Sequence, residues 1–267
     1  MTSADPPRGL RAAASPVTGL AVAERRVEAP VATLVCVHGG LDRGGSFARL
    51  ARRFEHMDVV AYDRRGYQGS RGAGPATLIE HIDDLIALAS SEAALRPVIV
   101  FGHSFGGVVS FGAALRDPSL FAQLINFEAP LPWVLAHDHR RIAPGSNPSD
   151  EAERFFKRIV SVETWERLSV AERESRRLDG PALVADLAVL SQPAPFQVTD
   201  IEIPSVYAFG DWARAPYYRQ LTEILCRANP LFQAVELRNA GHGAHLSHPD
   251  QLASLIEQTW MERCASA

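Results

Sequence analysis

Short runs of mainly apolar, often β-branched residues recur along the chain, and each run ends in a glycine-rich or polar turn. The runs lie at residues 32–37, 58–62, 98–101, 124–127, 203–209 and 233–237. Apolar character at successive positions is typical of strands that are buried on both faces of a parallel sheet. Residues 20–27 instead alternate between apolar and polar positions, which predicts an antiparallel strand at the sheet edge.

The stretches between these runs carry helical signals. In residues 77–94 apolar side chains recur every three or four positions from Leu78 to Ala89, which is the spacing of an amphipathic helix. Thr77, with Glu80 three residues later, predicts a capping box at its start. The order of strands and helices predicts an α/β fold with a doubly wound, mainly parallel sheet and right-handed crossovers. Other helices are expected at 46–56, 105–117, 216–227 and from about 249 to 260.

The pattern changes between residues 131 and 195, where charged helical segments at 151–160 and 164–178 are dense in Arg and Glu and no strand signal appears. We therefore expect a helical cap over 131–195, inserted after the sixth strand. The core is expected to comprise 20–130 and 196–267. Residues 1–19 are expected to form a flexible tail.

Composition limits the classes of partner. The chain has 267 residues, 46% of them hydrophobic, which is enough for one large core. Its net charge of −4 comes without a long basic run, which argues against nucleic acid or an anionic membrane surface as a partner. Residues 1–16 lack the apolar core of a secretory signal, so no such signal is expected, and no apolar run of about 18 residues occurs. These features predict a cytoplasmic protein, and they do not indicate its oligomeric state.

Metal and disulfide patterns are weak. Cys36, Cys226 and Cys264 are odd in number and widely spaced, so neither a disulfide framework nor a zinc motif is predicted. His137-Asp138-His139 is interpreted as a solvated turn and not as a metal site. We expect neither a metal nor an organic cofactor.

A reactive serine is predicted where the run 98–101 ends in Gly102-His103-Ser104-Phe105-Gly106-Gly107. Glycines on both sides of Ser104 permit a sharp turn from strand to helix, because a Cβ there would collide with neighbouring backbone. The turn would expose the Ser104 hydroxyl beside the positive end of the following helix. This segment resembles the nucleophile elbow of the α/β-hydrolases, and the resemblance extends over the chain from about Leu20.

The resemblance also implies a base and an acid. His242, in a glycine-rich turn after the last strand, stands where the family has its catalytic histidine. The acid has two candidates. Glu128, in Phe127-Glu128-Ala129-Pro130, follows the sixth strand, whereas Asp211 follows the seventh, two positions before Ala213, which occupies the family's usual acid position. We favour Glu128 and keep Asp211 as the alternative.

Glycines also follow the strand at 32–37, in His38-Gly39-Gly40. By the same resemblance the backbone N–H groups of Gly40 and Phe105 form an oxyanion hole, with Leu41 as the alternative to Gly40. His103 and Trp133 are expected to border the substrate pocket, although Trp133 could instead pack the cap. Asp63 and Arg64, in a loop similar to a family motif, are assigned to loop bracing.

Together these residues predict a carboxylesterase-like serine hydrolase that acts on a small ester or acyl substrate. A serine nucleophile argues against haloalkane dehalogenase and epoxide hydrolase chemistry, for which the family uses aspartate. Haloperoxidase-like, C–C bond hydrolase, thioesterase or acyltransferase chemistry on the same triad remains an alternative, as does a ligand receptor without catalysis.

Overall fold

The computed structural model describes residues 9–136 and 145–265. Within these ranges eight strands form one sheet, namely β1 (Arg11–Ala13), β2 (Val22–Arg25), β3 (Ala32–Val37), β4 (Met57–Tyr62), β5 (Val98–His103), β6 (Gln123–Phe127), β7 (Ser205–Gly210) and β8 (Phe232–Leu237). Their order across the sheet is β1-β2-β4-β3-β5-β6-β7-β8. Strands β3 to β8 are parallel, whereas β1 and β2 pair antiparallel at one edge. The predicted mainly parallel sheet is confirmed. The strand predicted at 20–27 is antiparallel as expected, but it is β2 and lies between β1 and β4, so it is not the edge strand.

Ten α-helices are present in the described ranges: α1 (Ala48–Ala51), α2 (Leu78–Ala93), α3 (Phe105–Arg116), α4 (Pro148–Ile159), α5 (Val162–Arg167), α6 (Val170–Leu178), α7 (Gly180–Val189), α8 (Ala215–Ala228), α9 (Ala244–Ser247) and α10 (Pro249–Ala265). The predicted capping box of Thr77 and Glu80 opens α2. None of the described helices has the length and apolar character needed to cross a membrane.

Two apolar layers enclose the sheet. Val35 and Val100 lie in the layer formed with α2, α3 and α8. Leu34 and Ile99, their neighbours in sequence, lie in the layer formed with α1 and α10. Since successive side chains of a strand point to opposite faces, this division explains why the central strands are apolar at every position.

The four helices α4 to α7, here called the inserted helices, lie between β6 and β7. Their apolar side chains, including Phe156 and Leu183, pack against Leu41 and Tyr67 of the loops that follow β3 and β4. Residues 164–178, predicted as one helical segment, form parts of two helices. The break occurs at Ser169, whose side chain accepts a hydrogen bond from the Glu172 N–H and begins α6 with a capping box.

The structure differs from two of the expected elements in the amino-terminal part of the described chain, at residues 11–13 and 46–56. Arg11–Ala13, assigned to a flexible tail, forms β1, because its backbone pairs with Val22–Glu24. Three residues are too few to produce a periodic signal in the sequence. The helix expected at 46–56 is a 3₁₀ turn at Gly44–Phe47 followed by the short α1. The segment His137-Asp138-His139 lies outside the described residues.

Candidate active site

Ser104 occupies the turn between β5 and α3. Its backbone has φ 53° and ψ −126°, a conformation that non-glycine residues seldom adopt. A Cβ at Gly102 would lie 2.5 Å from Asn126 Oδ1, and one at Gly106 would lie 2.1 Å from the Val37 carbonyl oxygen. Both flanking positions therefore require glycine, and the tight turn places Ser104 at the carboxyl edge of the sheet.

His242 and Glu128 contact each other beside this turn. His242 Nδ1 lies 2.7 Å from Glu128 Oε2, and Glu128 Oε1 accepts a hydrogen bond of 3.1 Å from the Gly210 N–H. Glu128 is only 4% exposed. Because a carboxylate can only accept, the proton of a neutral His242 is on Nδ1, and Nε2 keeps a free lone pair.

Asp211, the alternative acid, lies beyond β7. Its N–H donates to the Leu237 carbonyl oxygen at 3.1 Å, which extends the pairing with β8. Its Oδ1 is buried and has no hydrogen-bond partner among the described residues. Of the two candidate carboxylates, the structure brings Glu128 to the His242 imidazole.

Ser104, Glu128 and His242 line one cavity of about 440 Å³, together with Gly40 and Phe105. Among the hydrogen bonds of the described residues, none joins the Ser104 hydroxyl to His242. Catalytic hydrogen bonds are often long in a free enzyme and shorten when substrate binds. A hydroxyl, an imidazole and a carboxylate therefore lie around one chamber.

The expected oxyanion donors border the same chamber. Phe105 is the first residue of α3, so its N–H has no acceptor within the helix. Gly40 lines the cavity, whereas Leu41 is buried among apolar side chains and its carbonyl oxygen accepts from Arg176. Two backbone N–H groups near Ser104 can thus face a developing negative charge.

His38 holds the loop that contains Gly40 in place through contacts of both ring nitrogens. The His38 Nε2 atom accepts from the Arg64 N–H at 2.9 Å, and its Nδ1 lies 2.7 Å from the Gly39 carbonyl oxygen. Burial, together with the charge of Arg64, lowers the pKa of His38 to about 3. His38 is therefore neutral at physiological pH and links the loop after β3 to the loop after β4.

Arg64 is fully buried and pairs with Asp186 of α7. The Arg64 Nη2 atom lies 2.6 Å from Asp186 Oδ2, which also accepts from the Tyr67 hydroxyl at 2.7 Å. Although burial acts to raise the pKa of Asp186, Arg64 and His81 lower it below its ordinary value. Asp186 had no signal in the sequence, since 122 positions separate it from Arg64.

Asp63 accepts hydrogen bonds from the N–H groups of Gly44 and Gly69, at 2.8 and 2.9 Å. These contacts join three segments around the end of β4. The geometry agrees with the bracing role that the sequence suggested for Asp63 and Arg64.

The two residues expected at the pocket lie elsewhere, and both assignments are corrected. His103 is the last residue of β5, and the alternation of side chains turns it toward the α1 and α10 layer. Its Nε2 lies 2.8 Å from the His242 carbonyl oxygen, and burial, with the nearby His245 and His242, lowers its pKa well below 6.5. Trp133 packs edge-on against Phe196, with ring centroids 6.1 Å apart. Neither is among the described residues that line the cavity.

Much of the cavity wall is apolar, and several of its apolar side chains come from the inserted helices. Its apolar members are Pro130, Phe155, Ile159, Leu183, Leu187 and Leu190. Arg158, Arg214 and Tyr217 add polar groups. Sequence reasoning did not identify these residues, because the inserted helices contain no recognisable motif.

The chain is similar in sequence to known proteins over most of its length. The sequence model described as the alpha/beta hydrolase family matches residues 34–255. A pimeloyl-[acyl-carrier protein] methyl ester esterase of Serratia marcescens is 27% identical over 249 residues, which cover 84% of this chain and 92% of the relative. Lipase LipV of Mycobacterium tuberculosis is 33% identical over 94 residues, which span only 35% of this chain and 36% of the lipase.

Among solved structures, epoxide hydrolase I of potato (Solanum tuberosum) superimposes with a TM-score of 0.68 at 17% sequence identity. The match covers 95% of this chain and 99% of the potato chain. At this identity the likeness concerns the fold alone, and the reaction has to be inferred from the side chains at the site.

Proposed function

The chain belongs to the alpha/beta hydrolase family, and from that membership we propose that it hydrolyses carboxylic esters through an acyl-enzyme on Ser104. The observation that most strongly supports this proposal is the 2.7 Å contact between Glu128 and His242 beside the cavity that Ser104 lines. The names of the relatives, an esterase and a lipase, support the same class of substrate.

Acylation begins with attack of Ser104 Oγ on the ester carbonyl carbon. His242 Nε2 takes the hydroxyl proton, because a serine alcohol is too weakly acidic to react unassisted. The carbonyl oxygen becomes negatively charged and binds the N–H groups of Gly40 and Phe105. When the C–O bond breaks, the alcohol leaves with the proton from His242. Water then attacks the acyl-enzyme by the same route, releasing the acid and restoring Ser104.

Glu128 acts through His242 in both halves of this cycle. As acceptor for the Nδ1 proton it holds the imidazole in the tautomer that leaves Nε2 unprotonated toward the cavity. It also stabilises the imidazolium that forms when His242 takes a proton. Gly210 in turn fixes the carboxylate of Glu128 through its N–H.

The inserted helices serve as the cap of this enzyme. Side chains such as Phe155, Leu183 and Leu190 place apolar surface over Ser104, which limits water and accommodates an acyl or alkyl chain. A volume of about 440 Å³ suits a small to medium-sized ester. We expect no metal or organic cofactor to take part in this cycle.

The test is covalent labelling with a fluorophosphonate probe. The wild type should label, and Ser104→Ala should not, while circular dichroism of the two proteins stays the same. Activity on p-nitrophenyl esters of increasing acyl-chain length then shows how long an acyl chain the cavity accepts. Activity should fall once the acyl chain is too long to fit the cavity. A folded wild type that neither labels nor cleaves any ester would refute the proposal and favour a ligand receptor.

A further inference from the structure

Asp42, His103 and His245 form a second polar cluster, on the opposite side of β5 from the substrate cavity. His245 Nε2 lies 3.1 Å from Asp42 Oδ2, and His103 Nδ1 lies 3.9 Å from the same oxygen. One ligand atom from each of the three residues lies within 4.8 Å of the other two. The residues come from the loop after β3, the end of β5 and α9.

Hydrogen bonding fixes which atoms of His103 face this cluster. The His103 Nε2 atom lies 2.8 Å from the His242 carbonyl oxygen, which can only accept, so the proton of a neutral His103 is on Nε2. The Nδ1 lone pair therefore points toward the Asp42 carboxylate. Two electron-rich atoms facing each other in a buried place need a cation or a proton between them.

The imidazoles of the cluster are buried and incompletely satisfied. His103 is 5% exposed and His245 is 2% exposed. His103 Nδ1 and His245 Nδ1 have no hydrogen-bond partner within the described part of the chain, whereas His245 Nε2 contacts the Asp42 carboxylate. Asp42 is more exposed to solvent than the two histidines, because 18% of its side chain is accessible. Its carboxylate accepts one hydrogen bond of 3.1 Å from the Ser46 hydroxyl. An ion can therefore reach the cluster past Asp42.

We propose that Asp42, His103 and His245 bind one divalent transition-metal ion of the Zn²⁺ type. Two imidazole nitrogens and one carboxylate oxygen are donors that Zn²⁺ prefers. Tetrahedral Zn²⁺ with bonds of about 2.0 to 2.1 Å holds its donors roughly 3.3 Å apart. The separations of 3.1 and 3.9 Å from Asp42 Oδ2 are close to that value, and all three donor atoms lie within 4.8 Å of one another, so small side-chain adjustments would bring the three donors to the spacing that Zn²⁺ requires.

The hydrogen bond on the far side of His103 matches what a metal ligand needs. Metal-bound histidines usually donate the other ring N–H to a carboxylate or a backbone carbonyl, which fixes the tautomer. Here the acceptor is the backbone of His242. A bound ion would lock His103 and thereby brace the loop that holds His242. The site itself does not depend on the proposed ester hydrolysis.

Zn²⁺ titration of the full-length protein, after removal of metals with a chelator, tests the proposal by calorimetry. The wild type should bind one ion. His245→Gln and Asp42→Asn should each weaken that binding by at least about tenfold, since even loss of an outer partner costs 10- to 100-fold. Co²⁺ should give the visible absorption of a four-coordinate ion in the wild type and lose it in both variants.

Two control variants separate this site from other histidines. His56→Asn removes an exposed histidine, and Glu128→Gln removes the carboxylate that contacts His242; both should leave the affinity for Zn²⁺ unchanged. Absence of binding, or binding that survives His245→Gln and Asp42→Asn, would overturn the proposal. Binding lost only in Glu128→Gln would place the ion at His242 and overturn it equally. If His245→Gln does not fold, Asp42→Asn, whose side chain is nearly isosteric, decides.

Discussion

The ends of β6 and β7 show how similar positions in a sheet produce different chemistry. The two strands are neighbours and parallel, and each is followed by a carboxylate, Glu128 or Asp211. Both residues donate their N–H to an adjacent strand, Glu128 to Ala208 and Asp211 to Leu237. Only Glu128 contacts His242, and its side chain is also the more deeply buried of the two.

Three features explain the difference. Glu128 has φ 49°, a left-handed conformation that turns its side chain out of the strand direction. It also has one more methylene than aspartate and meets the Gly210 N–H from the neighbouring strand. Glu128 follows β6, the strand next to β5, and Ser104 comes directly after β5, whereas Asp211 is one strand further away. Backbone conformation and strand order, and not residue type alone, thus determine which carboxylate contacts His242.

Glu128→Gln should have the largest effect. The amide can donate to Nδ1 and stabilise the wrong tautomer of His242, so we expect kcat for an ester to fall by about 10⁴-fold. Thermal unfolding should change little, because glutamine preserves the shape. Steady-state kinetics with one p-nitrophenyl ester gives the answer. A loss of less than tenfold would show that Glu128 is not the acid.

Asp186→Asn extends the comparison to a carboxylate that is as buried as Glu128 but faces a cation. Leaving Arg64 buried without its counter-ion should reduce the free energy of unfolding by about 3 to 5 kcal/mol. The measurement is denaturant unfolding of the variant and the wild type. Equal stability would mean that Arg64 finds another partner. The pair of Arg64 and Asp186 would then not be needed to hold the loops after β3 and β4.

The same pair predicts a dependence on pH. Because the folded state lowers the pKa of Asp186 below its ordinary value of 3.8, the stabilisation is complete above that value and is lost as pH falls through the folded pKa. The free energy of unfolding should therefore decrease below about pH 4 in the wild type. The decrease should be smaller in Asp186→Asn, which has no proton to gain there.

Glu128→Asp tests whether the length or the charge of this side chain determines kcat. The carboxylate stays but is withdrawn by one methylene, and a displacement of about 1 Å in a catalytic group costs roughly 10²-fold. We expect kcat to fall by about that factor, clearly less than in Glu128→Gln. Identical losses in the two variants would indicate that position matters as much as charge.

The sequence predicted those parts that depend on neighbours along the chain. The apolar runs located the parallel strands, the glycines around Ser104 located the turn, and Thr77 with Glu80 located the start of α2. What failed depends on contacts between distant segments. Arg64 and Asp186 are 122 positions apart, and no local pattern joins them. His103 was expected at the pocket because it precedes Ser104, but the alternation of side chains along β5 turns it toward the α1 and α10 layer.

Asp211→Asn should have the smallest effect and completes the comparison. His242 Nδ1 is paired with Glu128, and no hydrogen bond joins it to Asp211 in the described part of the chain, so removal of the Asp211 charge should change kcat by less than about twofold. The double variant with Glu128→Gln should be slower than Glu128→Gln alone by no more than the same small factor, because the effects of independent residues add. A further large loss in the double variant would show that Asp211 takes over as acid when Glu128 is removed. The end of β7 would then be a second, latent acid position.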